Sequence, residues 1–182
     1  MNDNINADTN MVIEEGGVIA RRPHWRMLLN PIHFLALGFG AGLSSVAPGT
    51  VATLYAWLSF SILSHWLTPF SWGFVLGLGL LLGVGICAYT GKVLGEHDHR
   101  AIVWDEIIAF WLILWLLSPA SFSTQLWAFL WFRFFDIKKP GPIRYLDQHL
   151  NGPGWRGGVG VMADDLLAAF FTLLLFAIWR AI

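Results

Sequence analysis

The chain has 182 residues, 56% of them hydrophobic and only 13% charged, with a mean hydropathy of +0.59. A soluble domain is typically about 45–50% apolar and 25% charged, so this composition is that of a membrane protein. A net charge of −1 gives no case for nucleic-acid binding, and the single cysteine, Cys87, excludes a disulfide framework and a Cys-ligated metal site.

Residues 1–26 are polar and end in Arg21, Arg22 and Arg26. No short basic start leads into an apolar run, so a cleavable signal peptide is not expected. A disordered cytoplasmic tail is expected here, with the arginines favouring an inside N-terminus. Residues 27–182 are expected to form a single membrane domain. Asn30 to Ala47 is apolar but interrupted by Gly38, Gly40, Gly42, Ser44 and Ser45. It fits a weak span, an interfacial helix or a re-entrant segment. Val51–Leu67 reads as a first span, and Phe70–Tyr89 as a second. The pairs Gly73/Gly77 and Gly79/Gly83 in the latter form small-xxx-small ridges, a packing signal. Ile102–Leu117 is the third span, Gln125–Phe135 a short fourth, and Leu166–Ile182 the last. The fold class is therefore all-α: a polytopic membrane helical bundle of about five spans plus an N-terminal interfacial or re-entrant segment. Eleven Trp and fourteen Phe suit aromatic belts at the interfaces.

Charge distribution gives the bundle a polarity. The connections at 65–71 and 118–124 contain no Asp, Glu, Lys or Arg. The tail, the 92–101 connection and the region 133–165 hold ten of the eleven Lys and Arg, and every acid except Asp105 and Glu106. With residues 30–49 not crossing, those segments share one face, which the positive-inside bias makes cytoplasmic. Asp105, Glu106, Arg133, Asp136, Asp164 and Asp165 then gather at one membrane depth. An acid at the centre of a membrane helix costs roughly 2.5–3.5 kcal/mol, so such residues are functional candidates by default.

Several chemistries are excluded. Gly152-Pro-Gly154-Trp-Arg-Gly157 matches GxGxxG but follows no strand and opens no βαβ unit. No Walker lysine and no HExxH occurs, and Cys87 lacks the basic loop of a thiolate phosphatase. What remains is carboxylates and cations. Asp98, Asp105, Glu106, Asp136, Asp164 and Asp165 offer the oxygen donors that Mg²⁺ prefers, while Arg133, Lys138 and Lys139 are suited to phosphate. Beside a headgroup layer, that combination points to lipid phosphate chemistry. Each residue also has a structural reading. Asp164 and Asp165 fit a helix N-terminus, Arg133 and Asp136 an i, i+3 ion pair, and Lys138 and Lys139 a membrane anchor. His97 and His99 fit solvated loop residues, and Thr50 fits a cap after Pro48-Gly49.

Four blocks carry a family likeness: Gly38-Phe-Gly40-Ala-Gly-Leu43 with Ala47-Pro-Gly-Thr50; His97-Asp-His-Arg-Ala-Ile-Val-Trp-Asp-Glu106; Phe132-Arg-Phe-Phe-Asp-Ile-Lys-Lys-Pro140 with Pro142-Ile-Arg144; and Gly157-Gly-Val-Gly-Val-Met-Ala-Asp-Asp165. In this order, from about Asn30 to the C-terminus, the chain resembles phosphatidylglycerophosphatase A. The resemblance implies a Mg²⁺-dependent lipid phosphatase of the bacterial cell inner membrane that converts phosphatidylglycerophosphate to phosphatidylglycerol and phosphate. It places the family's acidic positions on Asp98, Asp105, Glu106, Asp136, Asp164 and Asp165, and its basic ones on Arg133 and Lys139. Two departures stand out. Ala52 and Thr53 replace the Gly-Ser pair that commonly follows Pro-Gly-Thr, and residues 151–156 add loop.

The expected site has Asp105, Glu106, Asp136, Asp164 and Asp165 as metal ligands and Thr50, Arg133 and Lys139 on the substrate. Asp98, His99, Asp105 and Asp164 carry the Mg²⁺-assisted attack of water, with Asp98 or His99 relaying protons. The signatures of a phosphatidyl transferase and of the other integral-membrane lipid phosphatases are absent. The alternative from another class is a small carrier with an acidic ion-binding site, against which the acids lie at span ends.

Overall fold

The structure is a computed structural model and describes residues 11–13, 19–139, 141 and 155–181. Two three-residue strands, β1 (Met11–Ile13) and β2 (Ile19–Arg21), pair antiparallel within the stretch expected as a tail. The other described elements are helical. A short helix α1 (Pro31–Ala36) lies between 3-10 turns at Trp25–Leu29 and Gly38–Leu43. Five longer helices follow: α2 (Pro48–Leu63), α3 (Pro69–Leu94), α4 (Trp104–Leu117), α5 (Phe122–Lys138) and α6 (Trp155–Ala181).

Their ends have local causes. Thr68 caps α3 by accepting from Ser71 N, Pro69 occupies the first turn, and Gly95 closes the helix in the left-handed conformation at φ 83°. Ser121 caps α5 in the same way through Thr124 N. By length and composition α3 and α6 can cross a membrane. Helices α2, α4 and α5 have 16, 14 and 17 residues, below the roughly 20 of an untilted span.

Helix α4 is the centre of the bundle. Ile107, Ile108, Ala109, Phe110 and Ile113 are all fully buried, because α2, α3, α5 and α6 each pack on it. Indole N–H groups tie it to its neighbours: Trp104 donates to Gly79 O of α3 at 3.0 Å, and Trp111 to Ala56 O of α2 at 3.0 Å. One glycine pair acts as its spacing implies. Gly79 and Gly83 are buried under Ile108, Trp104 and Met162, with no room for a Cβ, whereas Gly77 has nothing within 4 Å and Gly73 meets only the Trp115 ring.

The last helix corrects the sequence reading. It begins at Trp155, about three turns before Leu166, so Asp164 and Asp165 stand in its third turn and cap nothing. Glycine-rich sequence is a poor helix former, but here it packs. A Cβ on Gly158 would collide with Val84 O of α3, so the close approach of two backbones fixes this helical start.

Residues 30–47 fold as short broken pieces. Six residues of α1 rise only about 9 Å, too little to cross. Val103 N donates to Ala36 O at 2.9 Å, and Gly42 lies so close to Ala101 O that no side chain fits. His33 Nδ1 bonds Thr90 Oγ1 at 2.9 Å beneath the stacked ring of Tyr89. The segment is thus pinned to the charged connection between α3 and α4.

Candidate active site

Alternating helix directions bring the start of α2, the end of α3, the start of α4, the end of α5 and the early turns of α6 to one end of the bundle. There they enclose a cavity of about 230 Å³ lined by Asp98, Asp105, Glu106, Arg133, Asp136, Asp164 and Asp165, with Ala47, Pro48, Gly49 and Arg100 at its walls. Six of the expected acids and Arg133 therefore meet in one place.

Each side chain is held by its element. Asp105 and Glu106 occupy the first turn of α4, where free N–H groups and the helix dipole favour negative charge. Arg133 and Asp136 share a face in the last turns of α5, and Arg133 Nη1 lies 2.6 Å from Asp136 Oδ2 and 3.0 Å from Glu106 Oε1. The same guanidinium reaches Thr53 Oγ1 at 3.4 Å, while Thr53 donates to Gly49 O at 2.8 Å. Lys139 takes the left-handed conformation at the C-cap of α5, φ 41°, where glycine is more usual. From there its Nζ reaches Asp164 Oδ2 at 2.9 Å and Asp98 Oδ2 at 3.7 Å.

Five enclosed carboxylates face Arg133 and Lys139, with Arg100 at the exposed wall, an excess of negative charge that a low-dielectric site tolerates poorly. Glu106, Asp136 and Asp165 offer oxygens that all lie within 4.8 Å of one another. Asp105 Oδ1, Glu106 Oε2 and Asp165 Oδ2 are buried with no hydrogen-bond partner among the described residues, and so is Arg133 Nε. Orphaned hard oxygens in a polar cavity are the donor set of a divalent cation such as Mg²⁺.

Two expected residues, Thr50 and His99, sit outside the cavity lining. Thr50 is not among the residues lining the cavity, and it does not cap α2, whose N-cap is the left-handed Ala47. Gly49 is the residue of that motif with a structural demand on it: a Cβ there would overlap the Glu106 carboxylate. His99 is buried in its own turn, where Nδ1 accepts from Ala101 N at 3.1 Å, and it does not line the cavity. Burial pushes its imidazole below the usual range, against Glu96, with Arg100 acting in the same direction and Asp98 opposing. Asp98 stands at the mouth with its side chain 49% exposed. Thr53, which sequence reading treated only as a departure, is fully buried against Arg133. Its signal was present: a hydroxyl one turn after Gly49 inside an apolar helix. Arg100, at the cavity wall, was likewise not singled out. Pro142-Ile-Arg144 and the added loop up to residue 154 lie outside the described residues, and Cys87 is a buried free thiol.

Residues 34–180 match the family model of Phosphatidylglycerophosphatase A. The chain belongs to the phosphatidylglycerophosphatase A family. The match takes in every block from which the resemblance was read. The phosphatidylglycerophosphatase A of Haemophilus influenzae is 43% identical over 147 residues, 81% of this chain and 87% of the relative. That of Escherichia coli is 41% identical over 143 residues, 79% of this chain and 80% of the relative. A Bacteroides thetaiotaomicron protein provisionally named a phosphatidylinositol-3-phosphatase is 34% identical over 155 residues, 80% of this chain and 91% of the relative. No solved structure matches.

Proposed function

We propose that the protein hydrolyses phosphatidylglycerophosphate to phosphatidylglycerol and phosphate at the cytoplasmic face of the bacterial inner membrane, with Mg²⁺ as cofactor. One observation carries the reading: the acids and cations of the family's blocks, far apart in sequence, line a single cavity at one end of an apolar bundle. Membership in a phosphatase family leaves the carrier alternative without support.

Asp105, Glu106, Asp136, Asp164 and Asp165 are the residues that would hold the cation; the unpartnered oxygens of Asp105, Glu106 and Asp165, and the convergence of Glu106, Asp136 and Asp165 oxygens within 4.8 Å, are the reason. Mg²⁺ held by these residues would supply positive charge at phosphoryl oxygens and lower the pKa of a bound water. The chain's own residues do the remainder. Arg133 binds the transferred phosphoryl group: Nη1 is anchored by Glu106 and Asp136, so the fork is already oriented, and Nε remains to donate. Lys139, anchored on Asp164, sets a second positive charge at the same wall. Gly49 leaves room for the Glu106 carboxylate, and Thr53 steadies Arg133 from α2. Asp98, exposed at the mouth, exchanges protons with solvent as the leaving lipid hydroxyl is protonated. His99 shapes the turn that presents Asp98 and takes no proton from substrate.

Phosphate release from phosphatidylglycerophosphate by the purified protein tests this. EDTA should abolish it and Mg²⁺ restore it. Asp105→Asn and Asp164→Asn should each lower kcat by about 10²-fold or more, the scale of a lost preorganised charge. Full Mg²⁺-dependent activity in both variants would discard the site assignment.

A further inference from the structure

A second cavity, larger than the acidic one, lies elsewhere among the described residues. A groove of about 700 Å³ runs between α5 and α6, walled by Trp127, Trp131, Leu175, Phe176 and Trp179, with Arg180 at its end. It lies toward the far end of the bundle. Along α6, Arg180 is 15 residues from Asp165, about 22 Å at the helical rise. The two cavities share no lining residue, and between them Phe135 of α5 and Phe171 of α6 stand with ring centroids 5.8 Å apart across the seam.

Arg180 has an unusual position. The connections at this end contain no Lys or Arg, so it is the one such residue there among the described residues, and it has no ion pair among them. Trp127 and Trp179 are more than half exposed beside it, giving an apolar trough with an amphipathic aromatic rim. An apolar trough of this volume has room for an acyl chain, and the proposed membrane placement sets its terminal guanidinium at headgroup depth, so it complements an anionic lipid in both parts. A zwitterionic lipid would bring its own cation against Arg180.

We propose that the α5–α6 groove is a binding site for an anionic phospholipid of the leaflet opposite the acidic cavity, its chain against Trp127, Trp131 and Phe176 and its phosphate on Arg180. The site does not depend on the chemistry assigned to the acids, and it holds the lipid without turning it over.

Native mass spectrometry of the full chain in detergent tests this with phosphatidylserine and phosphatidylcholine of identical chains. Neither probe carries the phosphomonoester that the acidic cavity is proposed to hydrolyse. The wild-type protein should retain phosphatidylserine over phosphatidylcholine by about fivefold, the effect of one basic residue at a charged headgroup. Arg180→Gln should bring the ratio to about one while phosphatase activity stays unchanged. Leu175→Trp, which fills the trough, should lose retention of both lipids. Lys138→Gln, at the opposite end, should keep the preference. Equal retention of the two lipids by the wild type would overturn the proposal. So would a preference that survives Arg180→Gln, or a dimer that forms only when lipid is excluded.

Discussion

Gly49→Ala isolates the contact on which the acidic cavity is built. Gly49 lies in the first turn of α2 with an ordinary helical backbone, so the substitution brings no left-handed strain. By propensity alone alanine in a helix is favoured over glycine by about 1 kcal/mol, so the local expectation is a gain. The tertiary contact predicts the opposite sign. The added Cβ would overlap Glu106 Oε1 and lie 2.7 Å from Glu106 Cδ. Either α2 moves outward, at an overpacking cost of about 1–3 kcal/mol, or Glu106 turns away and weakens its 3.0 Å pair with Arg133. That charged hydrogen bond is worth about 1.5–3 kcal/mol. We expect a net loss of about 1–3 kcal/mol in stability and a fall in kcat of about 10²-fold, the cost of a catalytic group misplaced by about 1 Å. Thermal unfolding in detergent and phosphate release measure the two effects. Gly77→Ala is the control, because its site is open, and it should be neutral or slightly stabilising. If Gly49→Ala matched Gly77→Ala in both assays, the close packing of α2 against Glu106 would be refuted.

Four further outcomes follow from the same geometry. Arg133→Lys should lower kcat/KM by about 10²-fold, since a single ammonium nitrogen lacks the planar fork in which Nη1 holds Glu106 and Asp136 while Nε stays directed elsewhere; steady-state kinetics would show this. Lys139→Gly should relieve about 1 kcal/mol of left-handed strain but lose the charged hydrogen bond to buried Asp164, worth about 1.5–3 kcal/mol, so melting temperature should fall and activity with it. Gly158→Ala should destabilise by about 1–3 kcal/mol in a melting curve, because its Cβ meets Val84 O at the α3–α6 seam. The His99 imidazole is held below its usual pKa by burial, so the unfolded chain takes up the proton first as pH falls. Its contribution to stability is complete above about pH 6.5 and is lost as pH drops through the folded-state pKa. Melting temperature between pH 7 and 5 should therefore decline, and His99→Gln should flatten that decline.

The sequence by itself determined the helical class of the molecule, its apolar stretches and the chemistry available to it. Hydropathy is a local property, so the apolar run Ile107–Leu117 was legible as a span, whereas its burial among four helices was decided by packing, since apolar stretches of α2, α3 and α6 leave large side chains exposed. The end of the bundle at which the acids gather followed from counting charges by connection, and the order of the four blocks identified the family. Only the tertiary structure decided which oxygen faces which cation. That Arg133 grips both Glu106 and Asp136 while Lys139 takes Asp164 depends on the rotation and crossing of three helices, which no local pattern encodes. The start of α6 at Trp155 had the same cause. Glycine at 158 is unfavourable in an isolated helix and becomes the right residue once Val84 O of α3 lies against it, an arrangement that exists only after both helices have packed.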